Sequence, residues 1–150
     1  MSLEKEISQY KFRNEYQKSA INIIYTYNWI TEKMNKVFDE ADITPQQFNI
    51  LRILRGAGTP LSTLQIRQRM LDRMSDTSRI VDRLVRKGLV KKNICKSDRR
   101  LVDVFITEKG RRLLAKIDTY NQQMDEIMMG LSVEEARTLN ELLDKIRNTA

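Results

Sequence analysis

Apolar residues in this chain keep a helical spacing over most of its length and switch to strict alternation in one short stretch. Residues 7–38 contain no proline or glycine, and Ile23, Tyr27, Ile30, Met34 and Phe38 recur three or four residues apart, the spacing of one helix face. That pattern predicts a single helix of about 45 Å, at about 1.5 Å per residue. A helix this long outruns the core of a small domain, so it points to packing against a second chain.

The following helices announce their own starts. In Ile43-Thr44-Pro45-Gln46-Gln47-Phe48, Thr44 is an N-cap, Pro45 fits the first helical position, Gln47 closes a capping box and Ile43 staples to Phe48. This helix runs to about Arg55 and stops at Gly56 and Gly58. Ser62 and Gln65 repeat the device with a Leu61–Ile66 staple, and Ser132 with Glu135 repeats it before a last helix over residues 133–147. Between them, Asp72-Arg73-Met74-Ser75-Asp76-Thr77-Ser78 reads as a polar turn with Ser75 as the next N-cap. The helix over residues 76–87 then buries Ile80, Val81, Leu84 and Val85, and ends at Gly88 with Arg86 and Lys87 in its last turn. Val90/Ile94 and Val102/Val104/Ile106 show the two-residue period of half-buried strands. Thr107 caps one long helix through Leu113, Leu114, Ile117, Tyr120, Met124 and Met128 to Gly130. The fold class is therefore mainly α with a small β-hairpin: two short helices joined by a tight turn and followed by a hairpin wing, a winged helix-turn-helix.

Composition narrows the setting. The 150 residues are 41% hydrophobic and 31% charged, with no histidine and one cysteine; the mean hydropathy is −0.52. That suits one globular domain, and no apolar run approaches the about 18 residues that span a bilayer. The N-terminus is charged from Glu4 and lacks the apolar core of a signal peptide. A single cysteine forms no internal disulfide, so a cytoplasmic setting is expected. Without histidine, most metal sites and the commonest general base are gone. No nucleophile elbow or phosphate-binding loop is present, so neither catalysis nor a cofactor is expected.

Charge changes the picture more. Residues 67–100 hold 12 Lys/Arg and 4 Asp/Glu, a net +8, whereas the rest hold 15 and 16, a net −1. The whole excess sits in the helix-turn-helix and its wing, a patch aimed at a polyanion. The outward face of the second short helix carries Asp76, Ser78, Arg79, Arg83 and Arg86. Ser78 and Arg79 lie early enough to address base edges in a major groove, with Ser75 at the start. Arg83, Arg86 and Lys87 lie further along, where phosphates would be met. The competing interpretation is a solvated face laced by Asp76–Arg79 and Asp82–Arg86 pairs, worth about a few tenths of a kcal/mol each. At the wing, Arg100 suits a minor groove, Asp98 holds its guanidinium or simply makes the turn with Ser97, and Arg99 adds charge. Cys95 sits among Lys91, Lys92 and Lys96, which favour a thiolate, but a strand cysteine equally serves as a small hydrophobe. The same basic surface also suits a protein-interaction module binding an acidic partner.

Asp98-Arg99-Arg100 followed by Val104-Phe105-Ile106-Thr107-Glu108-Lys109-Gly110 resembles the wing signature of the MarR (multiple antibiotic resistance regulator) family. Residues 79–90 resemble that family's recognition helix and its exit, and Thr44-Pro45-Gln46-Gln47-Phe48 the start of its second helix. The resemblance spans essentially the whole chain. It implies a homodimeric bacterial regulator, usually a repressor, that binds a palindromic operator in double-stranded DNA. It further implies long N- and C-terminal dimerisation helices (about 1–40 and 108–150) around a DNA-binding lobe at about 44–107, all within one domain. Release by a small aromatic or phenolic effector is implied as well. By resemblance Asp98 and Arg100 are the paired wing residues. The chain departs from the family in lacking the proline common before the wing aspartate, and it has no N-terminal cysteine of the hydroperoxide-sensing kind. Tyr16, Tyr25, Tyr27 and Trp29 on the first helix, with Tyr120, are aromatics of a ligand cleft, of the core or of an interface.

Overall fold

The computed structural model describes residues 1–94 and 102–148. In chain order the elements are α1 (Leu3–Glu6), α2 (Glu15–Glu40), α3 (Pro45–Ala57), β1 (Leu61–Ser62), α4 (Thr63–Arg69), α5 (Thr77–Arg86), β2 (Val90–Ile94), β3 (Val102–Ile106), α6 (Glu108–Asp118), α7 (Asn121–Glu126) and α8 (Val133–Arg147). Contacts group them into two compact units, Met1–Lys36 and Val37–Ala150.

The expected long helix of the first unit forms, but it starts at Glu15 and not at residue 7, and runs unbroken to Glu40. Ser8 takes a left-handed conformation (φ 53°), which ends α1. The helix restarts at Glu15, where Asn14 Oδ1 accepts from the Gln17 N–H at 2.8 Å and the Gln17 side-chain oxygen accepts from the Arg13 N–H at 2.6 Å. Leu3 is buried, and the Glu4 carboxylate pairs with Lys18, whose ammonium holds its pKa down at about 2. The expected apolar stripe on α2 stays largely uncovered within the unit, with Ile23 42% and Tyr27 65% exposed.

The second unit is organised around α3, which contacts α4, α5, α6 and β3. Its capping box forms as expected: Thr44 Oγ1 accepts from the Gln47 N–H (3.1 Å) and the Gln47 side chain from the Thr44 N–H (3.2 Å). The helix runs through Gly56 to Ala57. Ile50, Leu51 and Leu54 of α3, Ile66 of α4, Val81 and Leu84 of α5, Val90 of β2, Val104 of β3 and Leu114 of α6 close one core, each at most 2% exposed. The Phe38 and Phe48 rings, 4.9 Å apart, join the end of α2 to it.

Two strands were expected, and the described residues form three, antiparallel in the order β1-β3-β2. Leu61 pairs with Val104, and β2 pairs with β3 from Val90↔Ile106 to Ile94↔Val102. Val90, Val104 and Ile106 are buried, whereas Ile94, expected to be half-buried, is 64% exposed because the outer part of β2 has passed the edge of the core. The expected long helix after Thr107 is broken. Around Thr119 the chain tightens into three-residue turns, with Thr119 N–H on the Lys116 carbonyl (3.2 Å) and Tyr120 N–H on that of Ile117 (2.9 Å). The Thr119 hydroxyl also donates to the Lys116 carbonyl (2.6 Å), competing for the group that would continue the helix.

Candidate nucleic-acid interface

The helix-turn-helix consists of α4, a turn over residues 70–76, and α5. α4 starts on its expected box, with Ser62 Oγ accepting from the Gln65 N–H at 3.1 Å and Gln65 returning the bond at 2.9 Å. The turn is built by Asp72. Its Oδ1 accepts from the Met74 N–H (2.9 Å), its carbonyl accepts from the Ser75 hydroxyl (2.8 Å), and its Oδ2 accepts from Gln46 Nε2 of α3 (3.3 Å). Asn49 of α3, 5% exposed, accepts the Leu71 N–H at 3.0 Å and so fixes where the turn begins. Sequence reading placed Asp72 at the start of the polar turn without its role there, and it missed Asn49. Asn49 left one signal, an amide set directly between Phe48 and Ile50-Leu51.

The expected cap at Ser75 is displaced by one residue. Asp76 caps α5, its Oδ1 accepting from the Arg79 N–H at 3.3 Å, while Ser75 is buried with its hydroxyl committed to Asp72. The inward face of α5 is Thr77, Ile80, Val81 and Leu84, all buried; Val85, expected with them, is 37% exposed. The outward face carries Ser78, Arg79, Arg83 and Arg86, all exposed. Residues 79, 82, 83 and 86 are three or four apart and form one stripe. Arg67 and Arg69 of α4 and Arg73 of the turn are exposed in the same lobe, as are Lys91 and Lys92 of β2.

Two pairs qualify that stripe. Asp76 Oδ2 lies 3.2 Å from Arg79 Nε, so the solvated-face pair is formed; with the side chains 58% and 81% exposed it contributes at most about a few tenths of a kcal/mol. Asp82 pairs with Lys92 of β2, not with Arg86 as the solvated-face interpretation has it. The Lys92 ammonium, helped by the more distant Arg86, holds the Asp82 carboxyl below its ordinary value against a smaller desolvation penalty. Among the described residues Arg83 and Arg86 have no ion-pair partner. Lys87, expected to meet phosphate, is turned inward. Its Nζ donates to the Asp42 carbonyl and to Gln47 Oε1 (3.1 Å), tying the end of α5 to the start of α3.

The exit from α5 explains part of the wing motif. Gly88 is left-handed (φ 72°), which lets Leu89 N–H reach the Leu84 carbonyl (3.0 Å) and Gly88 N–H that of Val85 (2.9 Å). Thr107 caps α6 through the Gly110 N–H (3.1 Å) and donates its hydroxyl to the Gly88 carbonyl (2.7 Å). Gly110 is required by space, since a Cβ there would stand 2.4 Å from the Leu89 carbonyl oxygen and 2.7 Å from Ile106 Cγ1. Asp98, Arg99 and Arg100, and with them Cys95, lie outside the described residues.

Among the described residues no helix is long and apolar enough to cross a membrane, and no group of acids and cysteines is placed to hold a metal ion. Arginines offered outward from a helix whose other face is sealed, beside a lysine-bearing hairpin, form a surface for a polyanion.

Known proteins share this arrangement. The family model described as the MarR family matches residues 41–101, from the loop before α3 to the wing. The HTH-type transcriptional regulator MhqR of Bacillus subtilis (strain 168) is 32% identical over 131 residues, covering 86% of this chain and 89% of that protein. Among solved structures, a mutant MarR from E. coli complexed with operator DNA has the same fold, with a TM-score of 0.81 at 24% identity, covering 91% of this chain and 99% of that one. So does Bordetella bronchiseptica BpsR, described with regulation of its DNA binding by 6-hydroxynicotinic acid, at TM-score 0.79 and 21% identity over 87% of this chain and 99% of that one. With a relative of this identity matched along nearly its whole length, and the family model lying over the helix-turn-helix and hairpin, the chain belongs to the MarR family of DNA-binding transcriptional regulators.

Proposed function

We propose that the protein is a cytoplasmic homodimeric repressor that holds a palindromic operator in double-stranded DNA and is released by a small aromatic or phenolic effector. One observation carries the DNA contact: α5 has its apolar face sealed by the core and its arginines exposed. In this reading the helix lies in the major groove, its start reads bases, and its later arginines meet phosphates. Ser78 and Arg79 are the readers, Asp76 orients Arg79, and Arg83 and Arg86 supply charge. Ser75 shapes the turn from inside. Asp98, Arg99 and Arg100 enter the flanking minor groove from the wing.

The DNA-binding lobe is about 44–107, and the segments on either side pair two copies. Support for pairing comes from α8, which has no buried residue and leaves Val133, Leu142 and Ile146 more than half exposed. Two α5 helices would then stand about 34–36 Å apart, one turn of B-DNA. Support for an effector comes from BpsR, the relative described with 6-hydroxynicotinic acid.

Fluorescence anisotropy with an operator selected from genomic fragments, and with a scrambled duplex, tests the reading across salt concentrations. Affinity falls steeply with salt, with a log–log slope of about −0.9 per phosphate neutralised. Arg83→Ala weakens both duplexes and reduces that slope by about 1, whereas Arg79→Ala loses about 1–3 kcal/mol of preference for the operator. Salt-independent binding, unmoved by either substitution, overturns it.

A further inference from the structure

Leu64 is the second residue of α4, and it is 63% exposed. Neither the helix start nor the core makes use of it. Leu61 and Ile66, the two residues of the expected staple, are 4% and 0% exposed, and the capping box closes through Ser62 and Gln65. A lone exposed leucine is ordinary on a protein surface, but this one lines a cleft. The cleft, about 410 Å³ in volume, lies between the starts of α4 and α5, with Thr63 and Arg67 of α4 on one side and Asp76, Thr77 and Ser78 on the other.

The second set of residues caps and opens α5, the helix whose start the proposed reading sets in the major groove. Two kinds of group on DNA fit a cleft so placed, a phosphate and a base edge, and charge decides between them. Among the described residues Arg67 and Asp76 are the charged groups of the lining, and they offset each other. The Asp76 carboxylate also accepts from the Arg79 N–H (3.3 Å), one of the donors at the start of α5 that would otherwise hold an anion. A phosphate therefore gains little here. A base edge brings a matching surface. In the major groove thymine presents its C5-methyl, the one apolar group among the donors and acceptors of the four bases.

We propose that Leu64 packs on the C5-methyl of a thymine in each half-site of the operator, so that α4 adds a base-reading contact to those of α5. This contact rests on the regulator reading above and adds to it a named base and a reader outside α5. Ser78 and Arg79 address hydrogen-bonding groups, which thymine shares with uracil. Leu64 addresses the methyl group, which it does not share. Burial of one methyl group changes affinity by about threefold to fivefold.

The test uses the full-length protein and the operator selected from genomic fragments, with thymines replaced by deoxyuridine one position at a time, in both half-sites together. The replacement removes the methyl group and keeps every hydrogen-bonding group of the base. At one position wild type loses about threefold to fivefold for each methyl removed. Leu64→Ala binds the unmodified operator more weakly by the same total factor and no longer distinguishes thymine from deoxyuridine at that position. Its affinity for the scrambled duplex stays within about twofold of wild type, and because the side chain is exposed the change opens no core. A wild type that prefers the operator but tolerates deoxyuridine at every position overturns the inference. So does a Leu64→Ala variant that keeps the wild-type response at every position. An equal loss on both duplexes instead sets Leu64 against the sugar–phosphate backbone and overturns it too. A wild type with no preference between the two unmodified duplexes is the separate failure of the regulator reading, which takes this contact with it.

Discussion

α5 and α8 are built from the same parts. Each starts on a side-chain cap, each carries basic residues in its last turn, and each has an apolar stripe at helical spacing. They differ in what covers the stripe. Thr77, Ile80, Val81 and Leu84 of α5 are buried by α3, α4 and β2 of the same chain, whereas no residue of α8 is buried. Helices of about 12–15 residues or fewer are marginal alone and take their stability from packing. An apolar stripe therefore requires a partner surface, and its periodicity is the same whether that surface comes from the same chain or from another. In α5 the stripe is used up and the polar face stays exposed, the face that the proposed reading sets against DNA. In α8 it stays uncovered within the protomer, and in the proposed reading it is left for a second copy.

The largest test of that difference compares one leucine from each helix. Leu84 is fully buried, so Leu84→Ala costs about 2–5 kcal/mol through lost burial and the cavity left behind. Leu142 is 54% exposed, so Leu142→Ala leaves no cavity within the protomer, and its direct cost there stays within about 0.5 kcal/mol. Its effect appears in self-association. The urea midpoint of Leu142→Ala falls below wild type in a concentration-dependent way, and sedimentation shows more monomer. A Leu142→Ala loss as large as that of Leu84→Ala and independent of concentration would break the comparison.

Glycines sharpen it at a smaller scale. Gly110 lies where α6 meets the exit of α5, with no room for a Cβ against the Leu89 carbonyl and Ile106. Gly110→Ala forces backbone apart at that junction and costs about 1–3 kcal/mol, the usual cost of overpacking. Gly130 precedes α8 with nothing within 4 Å of its would-be Cβ. Gly130→Ala is neutral, or stabilises by up to about 1 kcal/mol by restricting the unfolded chain. Thermal melts at one protein concentration check both signs.

What could be read from the sequence follows the range of the interactions. The boxes at Thr44/Gln47, Ser62/Gln65 and Ser132/Glu135 close within three residues, and all three formed. The arginine face of α5 was legible for the same reason, since its period is local. Distant partners decided the rest. Ser75 and Asp76 are both able caps, and the Asp72 carbonyl that takes the Ser75 hydroxyl settles which one acts. The stripe from Leu113 to Met128 runs unbroken past Thr119, so periodicity did not reveal the turn between α6 and α7. β1 is two residues long and was read only as part of a helix start. Lys87 looked like one more outward cation until its partners, 40 and 45 residues earlier in the chain, were seen.

The smallest expected effect separates the two helices by electrostatics alone. Asp76 has two roles on α5, capping the helix and pairing with Arg79. Asparagine caps as well as aspartate but carries no charge, so Asp76→Asn keeps stability within about 0.5 kcal/mol. It removes a negative charge from the face that the proposed reading sets against phosphates, where unit charges about 4 Å apart in water interact by about 1 kcal/mol. Affinity for a scrambled duplex therefore rises about threefold to fivefold. Preference for the operator falls, because Arg79 is no longer pre-positioned and loses more freedom when it docks. Glu135→Gln makes the same change on α8. Glutamine closes a capping box as glutamate does, and the carboxylate lost is one whose pKa the Ser132 backbone and hydroxyl hold down. If α8 faces a second copy and not DNA, duplex affinity stays at the wild-type value. A rise in scrambled-duplex affinity with Glu135→Gln, or none with Asp76→Asn, would place the negative charge that opposes DNA on the other helix and reverse the roles given to the two.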